Sequence, residues 1–153
     1  MLPRLAFLLH AAVETPAAAS FLFAPARQLS PALLSPASAA SAASVELLLV
    51  LHNLGGLLAA TVLLSLALAV WGVPPHIDGP LRGALALALA GYHYFPCRRA
   101  YLRRKHGIGM QGPQSRTLGG PAVHLAAHIA CCVLLVSAGM SDLFFFGQES
   151  GER

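Results

Sequence analysis

Leu47–Val73, LLLVLHNLGGLLAATVLLSLALAVWGV, is the stretch whose reading decides the fold. No Asp, Glu, Lys or Arg interrupts it. At about 1.5 Å per residue its length exceeds the roughly 30 Å hydrocarbon core of a bilayer. It predicts a transmembrane helix, with Ser44 as N-cap and Glu46 as a first-turn acid that suits the helix dipole. Gly55, Gly56, Ala59 and Ala60 form a small-residue surface at helical spacing, where a second helix can approach closely.

The rest of the chain repeats the theme. Of the 153 residues, 56% are hydrophobic and 10% charged, a balance outside soluble norms. Upstream, Leu2 to Pro25 is a second span. It also has the outline of a signal peptide, with Arg4, an apolar middle and Ala17-Ala18-Ala19 as a cleavage site, but His10, Glu14 and the continuing Phe21-Leu22-Phe23 favour an integral helix. Residues 26–43 are rich in Ser, Pro and Ala and read as a loop, since the residue before each proline avoids helix. Downstream, Pro74 to Pro80 reads as a tight turn, Leu81 to Leu102 as a third span, Arg103 to Leu118 as a polar connection, and about 121–146 as a fourth span entered through Gly119-Gly120-Pro121. The tail after Gly147 is expected to fray. The predicted fold class is all-α, a four-helix transmembrane bundle of one domain, with spans of about 2–25, 45–73, 81–102 and 121–146.

Charge sets orientation. Arg27, Arg98, Arg99, Arg103, Arg104, Lys105 and Arg116 flank one side of such a bundle, against Arg4, Arg82 and Arg153 on the other. The 98–118 loop is therefore expected to be cytoplasmic and both termini lumenal or external. The net charge of +4 reflects this flank, so nucleic acid is not an expected partner; the bilayer is. The cysteines, Cys97 and the adjacent Cys131 and Cys132, supply no CxxC pair. No GxSxG, Walker A or GxGxxG motif is present.

Within the spans, ionisable residues mark candidate sites, because charge at bilayer depth is expensive and such groups face the bundle. His10 and Glu14 stand at i,i+4 on one face, followed by Pro16, which takes a helix hydrogen bond from the Ala12 carbonyl. His124 and His128 repeat that spacing and share their face with Cys131. In the third span Gly83, Ala86, Ala90, His93 and Cys97 form a narrow small-residue stripe, while Leu85, Leu89 and Tyr92 form a bulkier, lipid-facing one. Counting from the basic side puts Glu14, His52, His93 and His128 at comparable depth, roughly 10–16 Å. Glu14, His10 and His93 are the candidate acid–base groups; His52, Asn53, Tyr92, His128 and His124 are candidate binding residues, with Asn53 serving equally well as a hydrogen bond between helices. No metal set is assigned. Glu14 is the one acid expected near the midplane, which argues against a di-iron carboxylate centre. Opposed histidines leave haem open, so the cofactor is unknown.

His10-x3-Glu14-x-Pro16, His52-Asn53, Gly91-Tyr92-His93 and Gly119-Gly120-Pro121-x-Val123-His124 resemble, in that order, the helices of small four-helix integral membrane proteins common in fungal genomes. The resemblance covers nearly the whole chain and implies the layout, not an activity. Size and layout are also similar to the membrane anthrone-oxygenase-like proteins of polyketide pathways, but no motif of that family matches and no role carries over. Three functions remain on these grounds. One is an enzyme or binding protein for a lipophilic small molecule. The second is a membrane scaffold using the Gly55–Ala60 surface for a partner helix, from a second copy or another protein. The third is a haem or metal carrier.

Overall fold

A computed structural model describes residues 1–29, 42–70, 75–107 and 120–149, with side chains described from 45, 79 and 120 in the later segments and up to 144. The described residues are α-helical, without strands. Helix α1 is Leu2–Phe23, followed by a 3-10 turn, Pro25–Gln28. Helix α2 is Ala42–Val70, α3 is Pro75–Tyr92, α4 is Tyr94–Lys105 and α5 is Gly120–Glu149. Three of them, α1, α2 and α5, are long and apolar enough to cross a membrane.

The boundaries depart from the expected ones in three places, two of them traceable to proline. α2 starts at Ala42, so Ser44 lies inside the helix and is not its N-cap. The stretch read as a turn at Pro74–Pro80 is mostly helical: α3 begins at Pro75, where the missing amide costs nothing, and carries Pro80 within it. The third span is broken at His93. Pro96 lacks the amide that would bond the carbonyl of Tyr92, and its ring crowds that carbonyl. The chain responds with a tighter turn: the His93 amide donates to the Ala90 carbonyl at 3.1 Å, and the Cys97 amide to the His93 carbonyl at 3.1 Å, opening α4. Residues 30–41, 108–119 and 150–153, on which most of the expected loop, the polar connection and the end of the tail fall, lie outside the described residues, while Gly147–Glu149, expected to fray, belong to α5.

Packing divides the chain into two units, with boundaries inside α1 and α2: 1–9 with 67–153, and 10–66. In the first unit Ala6, Phe7, Ala69, Ala86, Leu89, Ala90, Leu135 and Ala138 form one core. α3 and α5 cross at glycine. A methyl on Gly83 would come 2.9 Å from the Gly139 carbonyl oxygen, and one on Gly139 would meet Leu87 Cγ at 2.8 Å. Leu89 belongs to this core rather than to a lipid-facing stripe. Arg82 clamps α3 to α5 by donating Nε and Nη2 to the two carboxylate oxygens of Asp142 at 2.6 and 2.8 Å. The Nε of Arg4 donates to the Ala69 carbonyl at 2.6 Å, serving one of the last carbonyls of α2.

In the second unit α1 passes through Pro16 without ending, and the Thr15 hydroxyl donates to the Ala11 carbonyl at 2.7 Å in the turn that the proline weakens. Gly55 of α2 lies against the backbone of Phe21 and Leu22, where an added methyl would sit 2.8 Å from the Leu22 nitrogen. Gln28 donates to the Ser20 hydroxyl at 2.7 Å, fixing the 3-10 turn on the end of α1.

Candidate functional site

Polarity in this chain is distributed inside out. The buried side chains include His10, Glu14, Ser65, His93, His128 and Asp142, while Val45, Leu49, Val50, Leu57, Leu63, Leu64, Leu66 and Val70 are exposed along α2 alone. Only 17% of the most apolar window of α2 is buried. Water would oppose that arrangement and hydrocarbon favours it, since exposed Leu and Val cost nothing in lipid while each buried polar group needs an internal partner.

The partnered polar group at the heart of the first unit is a pair of histidines. His93 sits at the α3–α4 break and is fully buried; His128, two turns into α5, is 1% exposed. Their Nδ1 atoms are 2.8 Å apart, a hydrogen-bond distance, with ring centroids 5.0 Å apart. The break at Pro96 is what puts His93 on a tight turn beside α5. Around the pair, Tyr92 meets His93 edge-on at 5.4 Å, and His124, half-buried one turn before His128, meets it edge-on at 4.2 Å. The Cys132 thiol donates weakly to the Ala90 carbonyl at 3.6 Å. Cys131, on the same helix as His128, is completely buried.

A hydrogen bond between two imidazole Nδ1 atoms imposes an assignment. One nitrogen donates and the other accepts, so one ring carries its proton on Nδ1 and has a lone pair at Nε2, and the other is protonated at Nε2. Two rings of the same residue type thus become one base and one acid, and at least one of them is neutral. A single added proton turns both Nε2 positions into donors. The same distance bears on haem and metal: two imidazoles in line on one metal, at about 2.0 Å each, would be farther apart than these. His93 and His128 are arranged to bond each other.

His10 and Glu14 lie in the second unit, on the buried line of α1 that continues to Ala18 and Phe21, and they are 0% and 1% exposed. Their i,i+4 spacing places them on one face, as the sequence implies. His52 and Asn53 are exposed, off the line Gly55, Leu58, Val62, Ser65 and Ala69 that α2 buries, so His52 is not an interior residue here. The Gly55–Ala60 surface is likewise divided. Gly55 is covered by α1, whereas Gly56 and Ala60 remain exposed. Sequence reasoning missed Asp142 and Ser65. The signal for Asp142 was Arg82, a lone cation near the opposite end of a neighbouring span, which needs a carboxylate.

Fold and site together define an all-α protein of membrane type: three helices long and apolar enough to span, with buried ionisable side chains. No protein-family model, curated protein or solved structure matches the chain.

Proposed function

We propose that the protein is a multi-pass membrane protein that binds a lipophilic small molecule and exchanges protons with it through buried imidazole and carboxyl groups. The observation that carries this reading is the His93–His128 hydrogen bond, buried and neutral in at least one member. Were the pair needed only to hold helices together, two apolar residues of the same size would serve as well, since replacing both partners of a buried hydrogen bond costs little net stability. Its place among small apolar residues suits a ligand that is itself apolar except at one exchangeable position. Such a ligand would enter from the bilayer, and water would be excluded without a lid. His10 and Glu14, buried on α1 in their own unit, are a second acid–base couple. The basic residues of α4 support a cytoplasmic 98–118 connection, with the termini on the opposite side.

The test is chemical identification of what the full chain carries. Protein purified in mild detergent is extracted and its lipophilic content identified by mass spectrometry, for the native chain and for His93→Asn, His128→Asn and Glu14→Gln. The expected result is a compound held stoichiometrically by the native chain and lost from the histidine variants while helical content and melting are retained. Equal retention by every variant contradicts the proposal. A Soret band or stoichiometric metal in the native protein would assign the imidazoles to haem or metal instead.

A further inference from the structure

Hydroxyl groups in an apolar helix commonly bond back to their own backbone, and two in the second unit do so. The Thr15 hydroxyl donates to the Ala11 carbonyl at 2.7 Å, and that of Thr61 to the Leu58 carbonyl at 2.8 Å. Ser65, one turn beyond Thr61, does not. Its side chain is 0% exposed, and Oγ has no hydrogen-bond partner among the described residues. A hydroxyl buried in that state costs free energy, and it marks a position where a group from outside the chain belongs. Ser65 lies on the buried line of α2 with Gly55, Leu58 and Val62, and Gly55 packs on the backbone of Phe21 and Leu22. The same two helices meet again where Arg4 reaches the Ala69 carbonyl. They therefore run antiparallel. Equal rise per residue brings Ser65 to the level of His10 and Ala11, with Glu14 one turn along the same face of α1. A ring nitrogen of His10 and a carboxyl oxygen of Glu14 lie within 4.8 Å of each other, a gap that one hydrogen-bonded oxygen atom can bridge. Two helices thus bring three polar side chains to one buried layer.

We propose that Ser65, with His10 and Glu14, binds the oxygen of an uncharged lipophilic alcohol or ketone. A serine hydroxyl both donates and accepts, so it serves either kind of oxygen. Leu58 and Val62 along α2 and Ala11 on α1 are apolar, which suits a hydrocarbon remainder and disfavours an ion. The assignment rests on the proposed binding of a lipophilic small molecule and adds which part of that molecule is recognised, and by which residue. It uses neither His93 nor His128.

The experiment titrates the full chain in mild detergent with three probes of equal length, dodecyl alcohol, decyl methyl ketone and dodecane, and reads bound probe by native mass spectrometry. Ser65→Ala is compared with Thr61→Ala, which removes a hydroxyl already bonded to its own helix. The native chain is expected to hold the alcohol or the ketone about fivefold or more tightly than dodecane. Ser65→Ala should erase that preference, while Thr61→Ala changes it about twofold or less. Tighter binding of the alcohol identifies a hydroxyl ligand, and tighter binding of the ketone a carbonyl one. Melting is the second readout: losing an unsatisfied hydroxyl should leave the melting temperature of Ser65→Ala unchanged or raised, whereas a hydroxyl that holds helices together would lower it. A preference that survives Ser65→Ala, or a lowered melting temperature with binding intact, overturns the site. Equal binding of all three probes by the native chain overturns it too, yet leaves a binder of lipophiles. If no probe binds, the oxygen site is overturned; a lipophile still extracted from the native chain would then spare the proposed function, and its absence would count against both.

Discussion

Among the polar contacts that tie α3 and α4 to α5, two side-chain pairs are built differently. Arg82 and Asp142 meet through two charge-assisted hydrogen bonds of 2.6 and 2.8 Å that occupy both carboxylate oxygens. His93 and His128 meet through one bond of 2.8 Å between rings that each have a second nitrogen. The first contact uses up its chemistry in holding helices together. The second holds them less firmly and joins two groups that can each take up or release a proton near neutral pH. On the proposed function the first is a stabilising clamp and the second a proton-exchanging couple, and the variants below separate the two roles.

The comparison breaks most visibly at the clamp. Asp142→Ala removes both charge-assisted hydrogen bonds from the partly buried Arg82 guanidinium and is expected to cost about 2–3 kcal/mol, read as a large fall in the melting temperature of the detergent-solubilised chain. Next comes the glycine crossing beside it. Gly139→Ala pushes a methyl against Leu87 and the Gly83 carbonyl and should cost about 2 kcal/mol by the same measurement. His128→Leu is expected to cost about 1 kcal/mol, and the added change His93→Leu should restore most of it, because removing both partners leaves no orphaned donor. Both variants should lose the bound lipophile. A His93→Leu/His128→Leu protein that still carries the compound would mean the couple is only a second clamp. Smallest of all, Arg98→Gln on the exposed side of α4 should change melting by about 0.5 kcal/mol or less.

How much of this was legible in the sequence depended on contrast. α5 alternates small, polar and bulky residues, so His128 and Cys131 could be placed inside from spacing, and the Gly83, Ala86, Ala90, His93 line of α3 likewise. α2 is apolar all round, so periodicity carried no information about which line of it is buried. Gly55, Leu58, Val62, Ser65 and Ala69 are buried, and the polar pair His52-Asn53 drew attention to the wrong face. Leu89 looked lipid-facing because bulk was taken to mean exposure, whereas a glycine crossing brings α5 close enough to cover it. The break at His93 was written in Pro96, four residues after the carbonyl it displaces, but the apolar run through it read as one span. The His93–His128 contact itself, 35 residues apart, depends on that break. Spacing within single helices could nominate both rings and could not place one against the other.

The most direct test of the central claim, that this couple is polarised into acid and base, is a nitrogen-15 spectrum of the full chain labelled at histidine and held in detergent micelles. The account predicts one of the two rings protonated at Nδ1 and the other at Nε2, with a coupling across the Nδ1–H···Nδ1 bond that disappears in His93→Leu. Two rings both protonated only at Nε2, with no coupling between them, would contradict it, since neither could then donate to the other.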